Sequence, residues 1–103
     1  MAYTLILSTC PSEESSRKIA RALLEEGLCA CVQMMPIQSM YIWQDKVCDG
    51  AETLLLIKSK SALFEEISAR IVALHEYELP EIIEIPITGG LPGYLEWIER
   101  NTK

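Results

Sequence analysis

The spacing of hydrophobic and polar residues changes period several times along the chain, and each change predicts an element. Tyr3 to Thr9 (YTLILST) is β-prone and almost continuously apolar, which predicts a central strand covered on both faces. From Ser12 to about Glu26 the apolar residues take helical spacing, with Ile19, Ala20 and Leu23 on one face and Glu13–Arg17, Glu14–Lys18 and Arg21–Glu25 pairs on the other. Ser12 is placed to cap this helix and Gly27 to end it. Leu28 to Trp43 reads as a long strand, with Pro36 implying a bulge or an edge-facing position. Gln44-Asp45-Lys46 reads as a turn and Val47 to Lys58 as the return arm. A second helix follows, capped by Ser61, with Leu63, Phe64, Ile67, Ile71 and Leu74 as its buried stripe. His75 to Pro80 is a loop and Glu81 to Ile87 the last core strand. After the Gly89-Gly90 turn, Pro92 opens a short terminal helix packed through Tyr94, Leu95 and Ile98, with Trp97 on a flank.

The order β-α-β-β-α-β plus a terminal helix predicts an α+β, ferredoxin-like domain spanning residues 1–103, with both crossover helices on one sheet face. The hairpin is too long for such a domain. Arms of about 12 to 16 residues span roughly 40 to 53 Å, whereas a domain of this length is only about 34 Å across. The hairpin therefore bends back over its own sheet or projects. If it projects, Met40, Tyr41, Ile42 and Trp43 have nothing from their own chain to cover them, and a homo-oligomer follows.

Composition narrows the function classes. The formal net charge of −6 disfavours nucleic acid and anionic membrane surfaces as partners. No apolar run approaches the roughly 20 residues of a membrane span. MAYTLILSTC lacks a positive n-region and reads as a strand of the mature protein, so the expected location is the cytoplasm. In that compartment the four cysteines, Cys10, Cys29, Cys31 and Cys48, are expected as free thiols.

Several short pieces, in this order and spacing, resemble the CutA family of divalent-cation tolerance proteins. They are Ala30-Cys31-Val32, the alternating Ser39, Tyr41 and Trp43, then Glu52 and Ile57-Lys58. Tyr77-Glu78-x-Pro80-Glu81-Ile82, Pro86 and Tyr94-Leu95-x-Trp97 complete the set. The resemblance implies a homotrimer of ferredoxin-like protomers with an architecture similar to the PII signalling proteins. It also implies a non-enzymatic role in the response to divalent cations. Asp45 stands where the family usually has glycine in the hairpin turn, and Glu76 where it often has proline. A copper site of the type described for some members resembles one Cys with two adjacent His. The matching positions are Ser8, Leu74 and His75, and only His75 keeps a ligand.

Candidate chemistry centres on His75, the single histidine, which with Glu76 and Glu78 forms an acidic loop of the donor types that hold Cu²⁺ or Zn²⁺. Cys10 precedes a helix N-terminus, where a thiolate is favoured, but it has no neighbouring base in sequence. An acylphosphatase is excluded because the loop after the first strand ends in two glutamates and offers phosphate no basic cradle. The PII-like architecture implies clefts between subunits. Tyr41, Trp43, Glu52, Lys58, Tyr77 and Glu81 are candidates to line one; equally, the aromatics pack the trimer and Lys58 and Glu81 make structural ion pairs. The alternative to a cation-tolerance role is thus a PII-like sensor or scaffold that holds a small anionic ligand or a protein partner in such a cleft.

Overall fold

The computed structural model describes residues 2–103. Strand β1 (Tyr3–Cys10) leads through helix α1 (Glu13–Glu25) to a hairpin of β2 (Cys31–Trp43) and β3 (Lys46–Lys60). Helix α2 (Phe64–Leu74), strand β4 (Ile83–Ile87) and helix α3 (Pro92–Arg100) complete the chain. The strands form one antiparallel sheet in the order β2-β3-β1-β4, the ferredoxin-like arrangement expected from the element order.

Local chemistry sets most boundaries. The Ser12 hydroxyl accepts from the Ser15 N–H at 3.1 Å while the Ser15 hydroxyl accepts from the Ser12 N–H, so the two close the first turn of α1 reciprocally. At the other end Gly27 takes φ +70°, Gly27 N–H reaches Leu24 O and Leu28 N–H reaches Leu23 O, a Schellman closure. Ser61 does not cap α2 as expected. It opens a 3₁₀ turn, Ser61–Leu63, and Leu63 precedes the helix with no side-chain cap. The hairpin turn is tighter than expected, with Gln44 and Asp45 both at positive φ and Lys46 already paired with Trp43, the geometry of a type I′ turn. Pro36 causes no bulge. The β2–β3 register runs unbroken from Cys31↔Lys58 to Trp43↔Lys46, and Pro36 is tolerated because β2 is an edge strand. β2 starts at Cys31 rather than Leu28, and Leu28 and Cys29 are buried in the approach to it, where Leu28 O accepts from the Ser59 hydroxyl. β4 starts at Ile83 rather than Glu81, since pairing with β1 begins at Ile83↔Leu7.

The core lies on one sheet face. Ile6, Leu55 and Ile57 pack under Ile19 and Leu23 of α1 and Ile67 and Ile71 of α2, all essentially without solvent access. β1 is central, but its burial alternates. Thr4, Ile6 and Ser8 face the helices, whereas Tyr3, Leu5 and Leu7 are half-buried on the opposite face. The continuous apolar run of β1 was expected to be covered on both faces, and within one chain only one face is fully covered. Cross-strand partners share a face, so Leu5, Leu7, Met35, Leu54, Leu56, Ile83 and Ile85 form one apolar open face. Helix α3 covers part of it, with Ile98 fully buried and Lys60 Nζ 3.2 Å from Glu99 Oε2.

β1 supports β3 only from Thr53 to Lys60, so the outer hairpin has no third strand and no helix over it. It projects, giving extents of 44 × 25 × 22 Å and a radius of gyration of 14.1 Å. At its tip Met40, Ile42 and Val47 are 73%, 74% and 71% exposed.

Candidate functional site

The same two-residue alternation that builds the core carries Ser39, Tyr41 and Trp43 onto the open face, beside Glu52 of the neighbouring arm. The loop between α2 and β4 passes the end of β1 and closes against this part of the hairpin. There Tyr77 Oη donates to Glu52 Oε2 at 2.8 Å. Burial and the Glu52 carboxylate both push the Tyr77 phenol well above its ordinary range, so the phenol keeps its proton. Between hairpin and loop lies a cavity of about 750 Å³, within the range of roughly 300–1,000 Å³ usual for small-molecule sites. Its rings are Tyr41, Trp43 and Tyr77, and its carboxylates are Glu52, Glu76, Glu78 and Glu81.

Five of the six residues expected at a cleft, Tyr41, Trp43, Glu52, Tyr77 and Glu81, therefore come together. Lys58 does not join them. It sits at the other end of β3 with its ammonium 3.4 Å from Tyr94 Oη and over that ring. Thr9, Gln38, Ser39 and Leu79 also line the cavity and were not singled out as site residues from sequence. The alternation with Tyr41 could have signalled Ser39, while Thr9 depends on how the distant loop meets the end of β1.

His75 lies behind the cavity as a clasp. Its Nδ1 accepts from the Tyr77 N–H at 3.0 Å, and its Nε2 is 2.7 Å from Thr9 O. A carbonyl only accepts, so Nε2 carries the proton and both ring nitrogens are occupied. The imidazole also lies against the Tyr77 ring, with centroids 4.8 Å apart. Cys10 Sγ is 3.7 Å from Nε2, but Nε2 has no lone pair to accept a thiol proton. Burial raises the thiol of Cys10 against the opposing pull of the Ser16 and Ser15 hydroxyls, and Cys10 is fully buried. Fold and protonation thus both oppose a nucleophilic thiol at this position.

These residues do not fit a copper or zinc centre within one chain. Ser8 Oγ is buried without a hydrogen-bond partner, Leu74 offers no donor, and His75 has no free nitrogen. Among the described residues no three His, Cys, Asp or Glu groups converge as a metal site would require. All four cysteines are free, and no helix of the described residues is long and apolar enough to cross a membrane.

Comparison with known proteins gives one consistent answer. The family model described as CutA1 divalent ion tolerance protein matches residues 4–101. The divalent-cation tolerance protein CutA of Thermus thermophilus is 46% identical over 99 residues, covering 95% of this chain and 96% of that one. The chloroplastic protein CutA of Arabidopsis thaliana is 41% identical over 100 residues, covering 96% of this chain but only 55% of the plant protein. Among solved structures, the periplasmic divalent cation tolerance protein CutA of Archaeoglobus fulgidus superposes with a TM-score of 0.96 at 37% identity, covering 98% of this chain and 99% of that one.

Proposed function

The chain belongs to the CutA1 divalent ion tolerance family, and from that membership we propose that it acts in divalent-cation tolerance as a cytoplasmic homotrimer whose hairpins clasp neighbouring subunits. The observation that carries the assembly is the uncovered apolar surface. Met40, Ile42 and Val47 project on the hairpin, and Met35, Ile83 and Ile85 on the open face are 47%, 49% and 45% exposed. The register puts the first three on one face of the sheet and the last three on the other, and monomeric proteins rarely leave large apolar patches of this kind in water. Four free thiols suit a reducing compartment, although the relatives' own names place them in chloroplast and periplasm. The family description names tolerance and no reaction, and we assign no enzymatic step.

In this assembly the cavity beside the hairpin becomes a cleft between subunits, lined by Tyr41, Trp43, Glu52, Tyr77 and Glu81. Lys58 belongs to the packing of α3. Within one chain His75, Glu76 and Glu78 do not converge as a copper or zinc centre would require, so we route no step of the tolerance role through a metal held by one chain alone. Light scattering tests the assembly: wild type should give three times the 11.6 kDa chain mass, and Ile42→Glu should shift the protein to smaller species. A wild-type mass near that of one chain at micromolar concentration would reject the trimer. In cells, loss of the gene should lower the copper concentration that arrests growth, restored by wild type and not by Ile42→Glu.

A further inference from the structure

The cavity is chemically one-sided. It presents four carboxylates, Glu52, Glu76, Glu78 and Glu81, and three aromatic rings, with no Lys, Arg or His among its lining residues. An anionic ligand would enter it against uncompensated negative charge, which argues against the anion expected from the PII-like alternative. A bare divalent ion is the next choice, but it needs several donors converging at about 2.0–2.6 Å, and the described residues offer no such convergence. Carboxylates dispersed around a wide cavity suit a positive charge carried on an organic body. The rings add a second attraction, since an ammonium within about 6 Å of an aromatic centroid is held by the ring's negative face.

One carboxylate is positioned ahead of any ligand. The Tyr77 hydroxyl fixes Glu52 Oε2 at 2.8 Å, and Tyr77 is itself held by its N–H bond to His75 and by ring contact with it. We propose that this cavity binds a small organic cation, an aliphatic amine or ammonium compound, with Glu52 as charge partner and Tyr41 and Trp43 supplying aromatic faces. The inference rests on reading the cavity as a functional cleft. Every group it names comes from one chain, and in the proposed trimer a neighbouring subunit borders the same cleft, so each titration is paired with a mass measurement.

Calorimetric titration of the full chain with diaminobutane, tetramethylammonium and succinate, the last as an anionic counterpart, tests it. Both cations should saturate the protein at millimolar concentration or below, and succinate should give no saturable heat. Glu52→Gln and Trp43→Leu should each weaken cation binding by about tenfold. Tyr41→Leu replaces Trp43→Leu should the latter lower the thermal midpoint. Three results would overturn the proposal: succinate binding as tightly as diaminobutane, no saturable heat with either cation, or cation affinities unaltered in both variants. Competition by magnesium beyond that of sodium chloride at equal ionic strength would also overturn it, in favour of a metal site. Light scattering on the same samples separates the two readings. A trimer that binds no cation rejects this inference alone, and a monomer that binds one rejects the assembly alone.

Discussion

His75→Ala tests whether the only histidine is a clasp or a ligand. The imidazole joins three segments: the end of β1 through Thr9 O, the α2 terminus on which it sits, and the loop through the Tyr77 N–H. Truncation removes both hydrogen bonds. Each such bond contributes about 0.5–1.5 kcal/mol net, so the loss is about 1–3 kcal/mol. Tyr77 is half-buried and Thr9 buried, so one partner regains water readily and the other less so, which places the expected value near about 2 kcal/mol. In a chain of this length that lowers the thermal midpoint by about 8–16 °C. The assay is urea unfolding followed by circular dichroism at one fixed protein concentration, in EDTA and again with zinc or copper. The expected result is a lower midpoint at unchanged slope, with the same difference in both buffers. Two outcomes would refute the reasoning. One is a variant within about 0.5 kcal/mol of wild type in EDTA. The other is a metal-dependent stabilisation of wild type that the variant lacks, which would mean a ring nitrogen is available after all.

Three other outcomes follow from the same geometry. Asp45→Gly should stabilise the protein by up to about 1 kcal/mol in urea unfolding, because Asp45 holds φ +64° in a type I′ turn where glycine bears no Cβ penalty; a destabilised variant would contradict this. Ile57→Ala removes a fully buried side chain from the centre of the core and should cost about 2–5 kcal/mol by the same assay. Burial pushes the Cys29 thiol from its ordinary 9.0 up to about 12 and also raises Tyr77, so both neutral forms are favoured by the fold. Their stabilisation is complete below pH 9.0 and is lost as pH rises toward 12, so the thermal midpoint should fall across that window and fall less in Cys29→Ala.

The fold was legible because periodicity and end signals agreed. Ile19, Ala20 and Leu23 announced α1, and Ser12 and Gly27 bounded it. Boundaries failed where a side chain had two uses. Ser61 looked like a cap, yet the chain enters α2 through a 3₁₀ turn. Half of the cavity was legible for the same reason as the strands: Tyr41 and Trp43 must share a face, and the paired register places Glu52 with them. The other half depends on a contact between residues far apart in sequence, the Tyr77–Glu52 hydrogen bond. Lys58 was grouped with these residues by its charge and by the Ile57-Lys58 pair of the family resemblance, but the length of β3 carries it to the opposite end of the sheet, onto Tyr94. His75 carried a ligand's residue type. No spacing rule shows that a backbone carbonyl and an N–H have already taken its two nitrogens.

The exposed apolar surface also limits how an assembly can be built. Burying a large apolar side chain contributes about 1.5–3 kcal/mol, so Met40, Ile42 and Val47, each about seven-tenths exposed, offer roughly 3–6 kcal/mol per chain when covered. Association costs an estimated 4–15 kcal/mol in lost translational and rotational freedom, and three chains of net charge −6 repel one another. A contact made by hairpin tips alone would therefore be marginal. Stable association needs the open sheet face as well, where Leu5, Leu7, Leu54 and Leu56 form a continuous stripe with Met35, Ile83 and Ile85. A substitution there, such as Ile85→Glu, should accordingly dissociate the protein at least as fully as Ile42→Glu. If Ile85→Glu leaves the light-scattering mass unchanged while Ile42→Glu lowers it, the tips carry the assembly and this estimate of their strength is too small.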